Sequence, residues 1–138
     1  MQAIYQLDIQ GDELLARLYE FLKENARDSL VLEMAWSWTK GTWSRIKECD
    51  ELLARSVIKW QMSRLSSVDK SILRLAAYQL KYCPEIPPKV TINEAIELAK
   101  RYSTAQAPGF INGVLDGLLR KIEEDKAAGG GEPQTQQP

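Results

Sequence analysis

The sequence predicts an all-α fold, a compact bundle of about seven helices, and three observations carry that expectation. Proline is absent from residues 1–82, so long helices are permitted there. Apolar residues recur at helical spacing in one segment after another, while no β-branched run alternates with period two. The length of 138 residues, with 44% hydrophobic and 27% charged, fits one domain that buries roughly 70% of its unfolded surface.

The helices read in order. Met1–Ile9 carries Ala3, Ile4 and Leu7 on one side, and Gly11 closes it. A second helix is expected from about Asp12 to Asn25, with Leu14, Leu15, Leu18 and Leu22 at helical spacing. The third runs from Asp28 toward Lys47, and Gly41 within it marks a kink or a close helix contact. Leu52–Met62 is the fourth. Ser66-Ser67-Val68-Asp69 has the form of a capping box and opens a helix carrying Ile72, Leu73, Leu75, Ala76, Ala77, Tyr78 and Leu80. That helix is apolar nearly all round, as a central one must be. Thr91-Ile92-Asn93-Glu94 has the same form and is read as the start of a sixth helix, which places Asn93 and Glu94 at its first turn. The last runs from Pro108 to about Lys126 with Ile111, Val114, Leu115, Leu118, Leu119 and Ile122 in one stripe. Residues 1–127 are thus expected to form the domain. The Gly-, Gln- and Pro-rich residues 128–138 cannot bury apolar area and are expected to form a disordered tail.

Histidine is absent, which excludes Ser-His-Asp and Cys-His nucleophiles, His-ligated zinc and His general bases. Carboxylate pairs such as Glu94/Glu97 and Glu123/Glu124 read as helix surface, and no spacing indicates a metal site. No enzyme, no cofactor and no metal is expected. Cys49 and Cys83 form no CxxC pair; one disulfide between them is formally possible, but the expected reading is two separate thiols in a cytoplasmic protein. No segment has the form of a secretory signal or the length of a membrane span.

The net charge of −1 hides a segregation. Residues 1–51 carry −4, residues 52–122 carry +6 and residues 123–138 carry −3. The basic block also holds Tyr82, Tyr102 and Phe110 beside Lys100, Arg101, Asn112 and Arg120. Cations neutralise phosphates and aromatic faces stack on unpaired bases, so this combination suits single-stranded RNA. A solvated basic face with its aromatics tucked into the core has the same composition.

Three ordered blocks carry a family resemblance. Residues 67–80, Ser-Val-Asp-Lys-Ser-Ile-Leu-Arg-Leu-Ala-Ala-Tyr-Gln-Leu, resemble the central helix of the NusB antitermination factors. Residues 86–100 are similar to the family's proline turn, Lys-Val, and Ile-Asn-Glu-Ala-Ile-Glu-Leu-Ala-Lys. Residues 110–116, Phe-Ile-Asn-Gly-Val-Leu-Asp, resemble its third block, and Trp60 and Arg64 also sit where many members have them. The resemblance covers about residues 2–122. It implies two packed helical subdomains and a non-catalytic role: binding boxA-type single-stranded RNA together with the ribosomal protein NusE. Through other Nus factors and RNA polymerase, it implies processive transcription, notably of ribosomal RNA operons.

Carried over residue by residue, the resemblance implies RNA contacts at Gln2, Tyr5, Lys100, Arg101, Tyr102, Gln106, Phe110 and Asn112, and NusE contacts at Tyr5, Asp69 and Arg74. Packing between the last two helices is the alternative role for Tyr102 and, more strongly, for Phe110. Asn112 has an alternative role in capping or bridging backbone, and Asp69 is already explained as the capping-box acid. Gly113 is read as permitting close helix approach. Two departures stand out. The family has an arginine-rich segment ahead of its Gln-Ala-x-Tyr block, whereas this sequence begins at that block, so Met1 is expected to be an internal methionine. Gln106 and Pro108 also stand where relatives carry charged residues. Two other functions fit the same fold: a helical protein-interaction adaptor that never touches RNA, and a fragment of an rRNA methyltransferase with a NusB-like domain.

Overall fold

The computed structural model describes residues 1–11, 17–25, 28–56 and 65–128. Among them are seven helices and no strand: α1 Gln2–Gln10, α2 Leu18–Asn25, α3 Ser29–Ser44, α4 Ile46–Ser56, α5 Ser67–Tyr82, α6 Pro88–Tyr102 and α7 Ala107–Ala128. The first turns expected of the second helix, Trp60, Arg64 and the tail beyond Ala128 lie outside the described residues.

The helices assemble around two apolar clusters. Ala3, Leu7, Leu22 and Leu32 join α1, α2 and α3, with Trp36 and Trp43 packed against them. The larger cluster joins α4–α7 through residues such as Leu53, Ile72, Leu73, Ala99, Ile111, Leu115 and Leu118. These are the two packed subdomains. α5 is shared, touching α1 and α3 on one side and α4, α6 and α7 on the other. Burial on both sides explains why it is apolar nearly all round.

Local chemistry sets several boundaries. Asp28 caps α3 by accepting from the Val31 N–H at 2.9 Å. Ser66 caps α5 by accepting from the Asp69 N–H at 3.1 Å. Cys83 closes α5 by donating to the Gln79 carbonyl, and Pro84 follows.

Two expected helix starts are corrected. α3 ends at Ser44 rather than near Lys47, and α4 begins at Ile46 rather than Leu52, because helical geometry is interrupted at Arg45 and Cys49 then continues the apolar spacing of Leu52 and Leu53 into the core. α6 begins at Pro88 rather than at the Thr91 box. Proline at the first helical position has a preset φ and loses no hydrogen bond there. Thr91 therefore lies inside the helix, with its hydroxyl buried and unpartnered, while Asn93 and Glu94 are exposed.

Gly41 and Gly113 have opposite surroundings. α3 and α5 approach so closely that a Cβ on Gly41 would run into the Tyr78 ring and hydroxyl. A Cβ on Gly113 would meet nothing within 4 Å, so the close approach expected there is corrected: this glycine faces outward. Gly41→Ala gains the same helix propensity as any helix-interior Gly→Ala change but must displace the Tyr78 ring, and is expected to be net destabilising by about 1 kcal/mol. Gly113→Ala should stabilise it by about 0.5–1 kcal/mol through helix propensity. Urea midpoints of the two variants should move in opposite directions, and movement in the same direction would contradict the packing described.

Cys49 and Cys83 are free and buried. Burial, reinforced by Asp50 and Glu48, pushes the Cys49 thiol up to about 12, and burial with Glu85 raises Cys83. Both thiols should react slowly with a disulfide reagent at pH 8 in the native chain and fast once it is unfolded. The Cys49 thiol ionises near 9.0 when unfolded but near 12 when folded, so its contribution lowers stability as pH rises above 9. Fast native labelling of Cys49 would contradict its placement.

Candidate nucleic-acid interface

The C-terminal end of α6 and the N-terminal end of α7 meet at a corner formed by residues 103–106. α6 is amphipathic: Ile92, Ala95 and Ala99 face the core, which leaves Lys100, Arg101 and Tyr102 at its last turn turned toward solvent. Cations are also favoured there by the negative end of the helix dipole. Tyr102 is 40% exposed, and the Arg101 guanidinium lies 5.7 Å from the centre of its ring. Lys100 Nζ donates to Glu97 Oε2 at 3.3 Å, with both side chains more than half exposed. Such a pair is worth about 0–1 kcal/mol in water, so a phosphate competes for Lys100 at little cost.

Backbone bonds shape the turn that follows. Ser103 N–H donates to the Ala99 carbonyl, Ala107 N–H to Thr104 and Phe110 N–H to Gln106. Gln106 is exposed. In α7, Ala107, Ile111, Val114 and Leu115 turn into the core and Asn112 turns out. Phe110 is half-buried and packs against the main cluster. The structure therefore brings Lys100, Arg101, Tyr102, Gln106, Phe110 and Asn112 to one corner, with Tyr102 the most open aromatic and Phe110 partly engaged in packing.

The remaining candidates lie elsewhere. Gln2 is in the wall of a largely apolar cavity of about 490 Å³, together with Trp38, Ile72, Thr91 and Leu98. Tyr5 is half-buried on α1. Tyr82 is half-buried at the far end of α5 from Asp69, with the Arg45 guanidinium 4.4 Å from its ring centre.

Arg74 is only 8% exposed. Its Nε and Nη2 donate to the two carboxylate oxygens of Asp50, each at 2.8 Å, and its Nη1 donates to Asp8 at 3.0 Å. Burial alone would lower its pKa, but the hydrogen bonds and charges of Asp50 and Asp8 raise it above its ordinary value. Arg74 thus joins α1, α4 and α5 internally, and what reaches the surface is the edge of its two carboxylates, about a quarter to a third exposed. Asp69, in the first turn of α5, accepts from the Ser103 hydroxyl at 2.6 Å.

Sequence reasoning missed Asp8, Asp50 and Ser103. The first two lie 66 and 24 residues from Arg74 and the third lies 34 from Asp69, so no local pattern signals these pairs. Among the described residues no group of acidic residues and cysteines could hold a metal ion, and no helix is long and apolar enough to cross a membrane.

Comparison with known proteins agrees with this architecture. Residues 1–120 match the model of the NusB family. The transcription antitermination protein NusB of Syntrophus aciditrophicus is 46% identical over 131 residues, covering 90% of this chain and 77% of that protein. The structure of T. maritima NusB superposes with a TM-score of 0.77 at 36% identity, covering 92% of this chain and 90% of that one. A structure of antitermination factors NusB and NusE in complex with dsRNA superposes with a TM-score of 0.74 at 24% identity, covering 86% and 89%, and that likeness concerns the fold. The chain belongs to the NusB family of non-enzymatic transcription antitermination factors.

Proposed function

We propose that this chain binds boxA-type single-stranded RNA at the α6–α7 corner, together with the ribosomal protein NusE, and so promotes processive transcription, notably of ribosomal RNA operons. Other Nus factors and RNA polymerase are engaged indirectly. The observation that carries this reading is the exposure of Lys100, Arg101 and Tyr102 on one helix end beside Gln106, Phe110 and Asn112. Cations there hold phosphates, the Tyr102 face stacks on an unpaired base, and the Asn112 amide reads a base edge. Gln2 and Tyr5, on α1 and apart from the corner, would make a second, separate contact with the strand. A protein of the same fold has been solved with NusE and dsRNA, which supports NusE and RNA as the classes of partner.

For NusE, the surface proposed is Tyr5, Asp69 and the region around Arg74. Because Arg74 is internal, its part is to hold Asp8 and Asp50 in place rather than to reach the partner.

The test is fluorescence anisotropy with a labelled boxA-type single strand over a salt series. Two phosphate contacts, from Lys100 and Arg101, predict that log K falls against log salt with a slope of about −1.4. Binding that is absent at low salt, or indifferent to salt, would favour the adaptor that never touches RNA.

A further inference from the structure

The corner that carries the proposed RNA contacts has no apolar anchor at its apex. Thr104, Ala105 and Gln106 are all exposed, and the next buried residue is Ala107. Beyond the backbone bonds within the turn, one polar contact reaches it from another helix. Ser103 is the C-cap of α6, with extended backbone, and its hydroxyl donates to the Asp69 carboxylate at 2.6 Å. That length is typical of a strong, charge-assisted bond. Asp69 is itself held: it lies in the first turn of α5, where a carboxylate is favoured by the helix dipole, and its own N–H is tied to Ser66. α5 has buried residues along most of its length and touches five other described helices, so the contact fastens an exposed turn to the packed centre of the molecule.

We propose that Ser103 is a positioning residue for RNA: through Asp69 it holds the last turn of α6 and residues 104–106 in the shape that presents Arg101, Tyr102 and Gln106 together. The proposal rests on the corner being the RNA site. Ser103 touches no RNA in this account. Without the strut, the corner samples other arrangements, and apparent affinity falls by the fraction of time spent in the competent one.

This role makes a prediction opposite in sign to simple electrostatics. Asp69 is a negative charge close to a phosphate-binding turn. If it acted through charge alone, removing it would strengthen RNA binding. If it acts through Ser103, Asp69→Ala weakens binding, while Asp69→Asn keeps an acceptor, loses the charge, and binds at least as well as the parent chain.

The experiment measures anisotropy of the same labelled boxA-type RNA with the full chain and six variants: Ser103→Ala, Asp69→Ala, their double variant, Asp69→Asn, Ser103→Thr and Tyr102→Ala. Ser103→Ala and Asp69→Ala should each weaken binding about five- to tenfold. The double variant should be no weaker than either single one, since both remove the same contact. Ser103→Thr, which keeps the hydroxyl, should restore affinity, and the salt slope should stay unchanged because no phosphate contact is lost. Unchanged binding in Ser103→Ala while Tyr102→Ala is impaired, or additive effects of the two alanines, would overturn the strut alone. Unchanged binding in both Ser103→Ala and Tyr102→Ala would overturn the corner as the RNA site, and the strut with it.

Discussion

Arg74→Met is expected to lower the stability of the chain by about 2–4 kcal/mol, read as a fall in the urea midpoint and a drop in Tm of roughly 10 °C. Methionine fills most of the arginine's volume, so the loss comes from charge rather than from a cavity. Asp50 and Asp8 then face each other without the guanidinium that both accept from. Their partial exposure, 32% and 26%, lets water soften the loss and keeps it below that of a fully buried pair. Arg74→Lys should recover only part of the stability, because one ammonium cannot match the bidentate fork on Asp50 and reach Asp8 as well. Asp50→Asn in the methionine background should return part of the loss by removing the repulsion. A cost below about 1 kcal/mol for Arg74→Met, the range of an exposed surface pair, would mean that the network does not join α1 to α4 and α5 as described.

Tyr102→Ala is expected to weaken binding of boxA-type RNA by about tenfold or more, since stacking of one base on an aromatic ring is worth about 1–3 kcal/mol. The ring is 40% exposed, so folding stability should change little. That separates it from Phe110, which also packs against the main core and should lose stability and binding together when truncated. Tyr102→Phe keeps the stacking face and should bind nearly as the parent does. Lys100→Ala and Arg101→Ala differ in kind: each should reduce the salt slope by about 0.7, whereas Tyr102→Ala should leave the slope alone. Equal affinity of Tyr102→Ala and the parent would reduce this aromatic to surface decoration.

Local chemistry made much of the fold legible. The Ser66 cap and the Asp28 cap span three residues each and are written in adjacent sequence. The stripe from Ile111 to Ile122 repeats at helical spacing, and its burial in α7 follows. Where two local signals competed, the reading erred. The Thr91 box was a plausible start, but Pro88 lies three residues earlier and begins the helix more cheaply. Cys49 reads first as a thiol, which hides its place in the apolar spacing of α4. Glycine has no side chain to indicate which way it faces. Mid-helix position found the tight contact at Gly41 and wrongly suggested another at Gly113.

The corner was visible as a clustering of basic and aromatic residues in sequence, because its parts come from the end of one helix and the start of the next. The residues that hold it, Asp69 and Ser103, and those that hold the subdomains together, Asp8, Asp50 and Arg74, are distant in the chain and meet only through packing. The family resemblance implies partner contacts at Asp69 and Arg74. In the structure their hydrogen bonds are internal, Asp69 toward the corner and Arg74 toward α1 and α4.

Hydrogen–deuterium exchange of the full chain with and without boxA-type RNA tests the central claim most directly. Bound RNA should slow exchange through residues 100–112, at the end of α6, the turn and the first turns of α7, while α3 exchanges as before. Unchanged exchange in that stretch, with protection appearing instead over the exposed apolar face of α3 around Leu30, Val31 and Met34, would contradict the assignment of the corner as the RNA-binding surface.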